Sequence, residues 1–114
     1  MVDQEIDTAS VGALPQYYRG LAGEVLLTAG RPRDGLAHLD RAIAMTEEPG
    51  VGLYLPELHR LRGECLLALD RTNREKARRA FTTARDIARQ QGATLFEWRA
   101  DAALAELIGS SIIE

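Results

Sequence analysis

The 114-residue chain has the length of a single domain, and a domain of this size buries roughly two-thirds of the surface its unfolded form exposes. Hydrophobic residues are 46% and charged residues 27%, which excludes a disordered tail, and 17 Ala and 16 Leu against ten Val plus Ile favour helix over strand. A net charge of −3 with 5% aromatics excludes a basic or base-stacking nucleic-acid platform.

Residues 1–12 are acidic and unpatterned and read as a flexible leader with no signal-peptide character. Residues 13–109 read as one helical domain, with 110–114 as a tail. Pro15 suits a first helical turn, and Leu14, Tyr18, Leu21, Val25 and Ala29 recur at helical spacing, which predicts a helix over 15–29. Gly30-Arg31-Pro32 stops it. Leu36, Leu39 and Ile43 then share a face, predicting a second helix over 33–47 that ends before Pro49-Gly-Val-Gly52. Leu58, Leu61, Cys65 and Leu69 mark a third over 53–69. Thr72 and Glu75 have capping-box spacing and open a fourth over 74–90, with Ala77, Phe81, Ala84 and Ala88 on its stripe. Thr94 and Glu97 repeat that spacing for a fifth over 95–108, whose stripe is Leu95, Trp98, Ala102, Ala105 and Ile108, ended by Gly109-Ser-Ser111. No alternation is long enough for a strand, and the short connections predict antiparallel neighbours.

The chain repeats itself. Residues 21–31 and 61–71 share six identities at an offset of 40: Leu21/Leu61, Gly23/Gly63, Glu24/Glu64, Leu26/Leu66, Leu27/Leu67 and Arg31/Arg71. The following helices align at an offset of 42, through Gly35/Ala77, Leu39/Phe81, Ala42/Ala84 and Met45/Ile87, so the Thr72-Asn73 turn carries two extra residues. A period near 40 built from helical hairpins predicts an all-α solenoid of about two and a half repeats. The order Gly23, Gly35, Leu39, Ala42 is the tetratricopeptide arrangement, in which small residues bring two helices close and a large one fills the gap. The fifth helix reads as a third first-helix without its partner.

Pro15-Gln-Tyr-Tyr-Arg-Gly-Leu-Ala-Gly-Glu24, Glu57-Leu-His-Arg-Leu-Arg-Gly-Glu-Cys-Leu-Leu-Ala-Leu69 and Ala88-Arg-Gln-Gln-Gly-Ala-Thr-Leu-Phe-Glu-Trp-Arg-Ala100 together resemble the C-terminal tetratricopeptide region of bacterial STAND-type ATPase regulators, including class III adenylate/guanylate cyclases. The resemblance spans about residues 13–108. No phosphate loop, cyclase domain or DNA-reading motif accompanies it. It therefore implies a non-catalytic protein-interaction or scaffold module of a signalling regulator; the other reading is a purely structural solenoid cap or dimerisation domain.

The residues offer little chemistry of their own. Cys65 lies on an apolar stripe almost two turns from His59, and His38 sits on another helix. Neither a nucleophile–base pair nor a zinc set is present, so no enzyme, cofactor or metal is expected. The lone cysteine permits no internal disulfide and fits a reducing cytoplasm, and no apolar run is long enough to span a membrane. Residues 71–89 hold seven basic residues against two acidic ones, with Arg71, Arg78 and Arg85 seven apart on a shared face, a secondary docking patch. By the repeat register the main groove is lined by Tyr17, Glu24 and Leu27 from one unit and Glu57, Arg60, Glu64 and Leu67 from the next. Arg60 and Glu64 are spaced to pair, which leaves Glu24 and Glu57 to favour a basic or amphipathic protein segment. The chaperone-binding relatives implied by the resemblance instead use basic residues there, for an acidic C-terminus. Exposed apolar residues at the two ends, Tyr17, Tyr18, Ile112 and Ile113, predict a weak homodimer.

Overall fold

The computed structural model describes residues 16–45 and 52–113; the side chains of 16–19 and 110–113 lie outside that description, as do residues 1–15, 46–51 and 114. Five helices are present: α1 (Gln16–Thr28), α2 (Pro32–Ala44), α3 (Leu55–Leu69), α4 (Arg74–Gln91) and α5 (Thr94–Ile113). A 3-10 turn at Arg71–Asn73 joins α3 to α4, and the described residues contain no strand. Each helix packs on the next, and α1 also touches α3, and α3 touches α5. The odd-numbered helices form one layer and α2 and α4 the other. The Cα envelope of 44 × 32 × 18 Å has the thickness of two helical layers.

Local chemistry sets the helix ends. Gly30 and Gly92 are the two positive-φ residues described, at 80° and 70°. Past each of them the next amide reaches back five residues, Arg31 N–H to Leu26 O at 2.8 Å and Ala93 N–H to Ala88 O at 2.8 Å. That backbone conformation favours glycine, and it ends α1 and α4 the same way. Pro32 and Pro56 occupy the first turns of α2 and α3, where a missing N–H costs nothing.

The expected capping boxes do not form. Asp70 caps the 3-10 turn, accepting from the Thr72 amide at 2.9 Å and its hydroxyl at 2.7 Å. Glu75 instead binds Arg78, and Glu97 accepts from Arg89 at 2.9 Å. A nearby guanidinium gives each carboxylate a charge-assisted bond that outcompetes one backbone amide. Nor does α5 stop at Gly109. It runs on to Ile113, because one glycine weakens a helix by only about 1 kcal/mol and does not break it.

Close approach of the helices occurs where the repeat predicts it. A Cβ on Gly23 would lie 2.7 Å from Leu39 Cγ, and one on Gly63 would lie 2.5 Å from Phe81 Cε1. The glycines are 40 residues apart and the large residues 42 apart, so the two hairpins make the same contact. A Cβ on Gly35 would meet the Gly23 carbonyl at 2.9 Å and Cys65 Sγ at 3.3 Å. Leu39, Ala42, Leu58, Leu61 and Cys65 form one core cluster, and Ala77, Phe81, Ala103 and Leu107 the other.

The stripe expected to bury α5 faces outward instead. Leu95, Trp98 and Ile108 are 59%, 68% and 60% exposed, and Ala102 and Ala105 are exposed as well. Ala100, Ala103 and Leu107 are the buried residues, with Phe96 half-buried. These stand 42 residues after Leu58, Leu61, Cys65 and Tyr54, which play the same parts in α3. The two residues inserted at the 3-10 turn carry through to α5, and two residues turn a helix by about 200°, which swaps its faces. In α1, Leu21 and Val25 are exposed, while Gly20 and Gly23 are buried; their equivalents Leu61 and Cys65 are buried in α3.

Candidate functional site

The layer of α1, α3 and α5 carries a cleft of about 390 Å³ at the α3–α4 end. Leu27 of α1, Leu67 and Ala68 of α3, Phe81 of α4, and Ala103 and Leu107 of α5 give it an apolar floor. Glu64 and Glu106 stand on its wall with Arg71 and Arg74. Arg74 is tethered there, donating to the Leu107 carbonyl at 2.6 Å. Three of the expected groove residues, Leu27, Glu64 and Leu67, thus meet in one cleft. Glu24, Glu64 and Glu106 occupy the same place in successive units, at offsets of 40 and 42, so a glutamate row follows the layer.

Glu57 and Arg60 serve a different purpose from the one expected. Arg60 forks onto the Glu57 carboxylate, Nε to Oε2 at 2.9 Å and Nη2 to Oε1 at 3.0 Å. Arg99 of α5 reaches the same carboxylate at 3.2 Å. The Glu57 side chain is only 3% exposed. It is a buried lock between α3 and α5 and sets no sign in an open groove. Arg60 lies 3.6 Å from Glu64, the weaker of its two contacts. Burial opposes the Arg60 charge, but the Glu57 hydrogen bonds and the carboxylates of Glu57, Glu64 and Glu24 hold its pKa above the ordinary value. Burial, aided by Glu106 and opposed by Arg60, pushes the Glu64 carboxyl up. Tyr17 belongs to α1, but its side chain lies outside the described residues.

The seven-spaced arginines do not form one stripe. Arg71 sits on the 3-10 turn, before α4 begins, and lines the cleft. Arg78 binds Glu75, and Arg85 contacts Asp86 at 3.2 Å, so both are neutralised locally. Regular spacing makes a face only inside one helix, and the turn interrupts it.

Cys65 is buried, and burial with the Glu64 and Asp40 carboxylates raises its thiol to about 11, far from a reactive thiolate. His59 is held below its ordinary value by burial and the Arg62 charge, against Asp40. Arg62 itself ties α3 to α2 through Asp40 at 2.7 Å. Among the described residues no group of His, Cys, Asp and Glu could hold a metal ion, and no helix is long and apolar enough to cross a membrane. Sequence reasoning missed Ala103, Glu106 and Leu107 as cleft residues; counting α5 at an offset of 42 rather than by its largest apolar residues finds them. Comparison with protein-family models, with curated proteins and with solved structures finds no match.

Proposed function

We propose that the chain is a non-catalytic tetratricopeptide-like module that binds a protein segment in the cleft between its repeats. The observation that carries this reading is the duplicated hairpin contact, Gly23 on Leu39 and Gly63 on Phe81, which supports a solenoid of like units. Stacked hairpins leave one layer facing outward along its length, and here that layer has an apolar floor with charged walls. Such a surface suits an amphipathic helix or strand. The walls carry both signs, so the fitting segment offers apolar side chains to Leu27, Leu67 and Leu107 and charges of both signs at its edges. Placement within a bacterial cyclase-like or STAND-type regulator rests on the sequence resemblance, and placement in the cytoplasm on the lone cysteine.

The experiment selects peptides from a random library on the full chain and measures their affinity for variants. Leu67→Glu places a charge on the apolar floor and should weaken binding by roughly tenfold or more. Reversal of both wall carboxylates, Glu64→Lys with Glu106→Lys, should change which peptide charges are selected. A purely structural cap would select no peptide, and binding indifferent to Leu67→Glu would move the site elsewhere.

A further inference from the structure

We propose that the outer face of α5 is a second docking surface, shaped for a basic amphipathic helix. The chain itself shows what covers such a face. In α3 the residues Pro56, Gly63 and Leu66 are buried, and Phe81 of α4 seats directly on Gly63. Their equivalents 42 residues on are Trp98, Ala105 and Ile108. All three are exposed, Trp98 by 68% and Ile108 by 60%. The α1–α2 hairpin has the same seat, Gly23 under Leu39. Two of the three units therefore fill this position with a large apolar side chain from a following helix. The third presents the same small residue between large ones with nothing on it among the described residues.

The charges select the occupant. Asp101 lies on this face, three residues after Trp98 and four before Ala105, and Glu106 adjoins the seat; both are exposed. A helix that places one large apolar residue on Ala105 meets acid on both sides. In α4 itself, Arg78 and Arg85 stand three before and four after Phe81. A helix of that pattern meets the seat with its apolar residue and the acids with its guanidinium groups. The acidic stretch Asp3-Gln-Glu-Ile-Asp7 of this chain has the wrong sign to be the occupant. This surface meets the cleft at Glu106, but its apolar seat of Trp98, Ala105 and Ile108 lies outside the cleft lining.

The chain carries one tryptophan, Trp98, so the surface reports its own occupation. The full chain is titrated with a peptide of the α4 sequence, Arg74–Gln91, while Trp98 emission is followed. A saturable blue shift is expected, with affinity falling as salt rises. The same peptide with Phe81→Ala keeps every charge and should bind at least about tenfold more weakly. Ala105→Arg in the chain, at an exposed position that leaves the fold intact by circular dichroism, should do the same, while Leu67→Glu in the cleft should leave the shift unchanged. No shift at millimolar peptide would overturn the proposal. So would equal binding by the Phe81→Ala peptide, or a shift that grows with protein concentration alone and marks a second copy as the occupant.

Discussion

Gly63→Ala isolates the contact on which the repeat architecture rests. The added methyl would lie 2.5 Å from Phe81 Cε1 and 2.8 Å from Cδ1. Carbon atoms pack at about 3.5–4.0 Å, so the ring must retreat by about 1 Å. Phe81 is 1% exposed and sits in the second core cluster, so it has no free space to enter. Overpacking of this kind costs about 1–3 kcal/mol, and replacing a helical glycine by alanine returns about 1 kcal/mol. The net expectation is a loss of about 0–2 kcal/mol, near 4 °C of Tm for each kcal/mol at this chain length. Gly109→Ala is the control. Gly109 is also helical, but a Cβ there meets nothing within 4 Å, so propensity alone acts and stability rises by about 0.5–1 kcal/mol. Urea unfolding of both variants, and of Gly63→Ala with Phe81→Leu, reads the signs and the coupling. If Gly63→Ala gains as much as Gly109→Ala, or the double variant shows no coupling, α3 and α4 do not meet there and the repeat register is wrong.

Other outcomes follow from the charges around α3. Glu57→Ala leaves Arg60 and Arg99 without their shared carboxylate and should cost about 3–5 kcal/mol, read by thermal melting. Glu64 has a raised pKa in the folded chain, so its ionised form is penalised above the ordinary value of 4.5. Glu64→Gln should therefore raise Tm at pH 7, and the gain should vanish as the pH is taken below that value. His59 is shifted the other way for a base: its lowered pKa means that the unfolded chain takes up a proton first as pH falls below 6.5. Stability should decline through that window, and His59→Asn should flatten the decline. The Cys65 thiol should resist iodoacetamide at pH 8 until urea unfolds the chain, since it is buried and raised to about 11.

Much of the fold was legible because it is written twice. Gly23 and Gly63 with Leu39 and Phe81 gave the hairpin contact directly, and Gly30, Gly92 and the prolines gave helix ends within a few residues. The faces of α1 and α5 were not legible from hydrophobicity alone. Leu21, Val25, Leu95, Trp98 and Ile108 are the large apolar residues of α1 and α5, but hydrophobicity marks a buried face only when something covers it. Among the described residues nothing covers those side chains, and the buried positions of these two helices include Gly20, Gly23, Ala100 and Ala103. The cleft was half legible. Leu27, Glu64 and Leu67 followed from the repeat, whereas the α5 residues needed the two-residue insertion to be carried through. Glu57 looked like a surface charge because its partner Arg99 lies 42 residues away.

Under the proposed function the cleft, and not the arginine-rich outer side of α4, receives a protein segment. Amide chemical shifts of the isotope-labelled chain, recorded while a library-selected amphipathic peptide is added, test it most directly. Saturable shifts concentrated at Leu27, Glu64, Leu67, Ala103 and Leu107 are expected. Shifts concentrated at Arg78, Arg79 and Arg85, with the cleft amides unmoved, would contradict it.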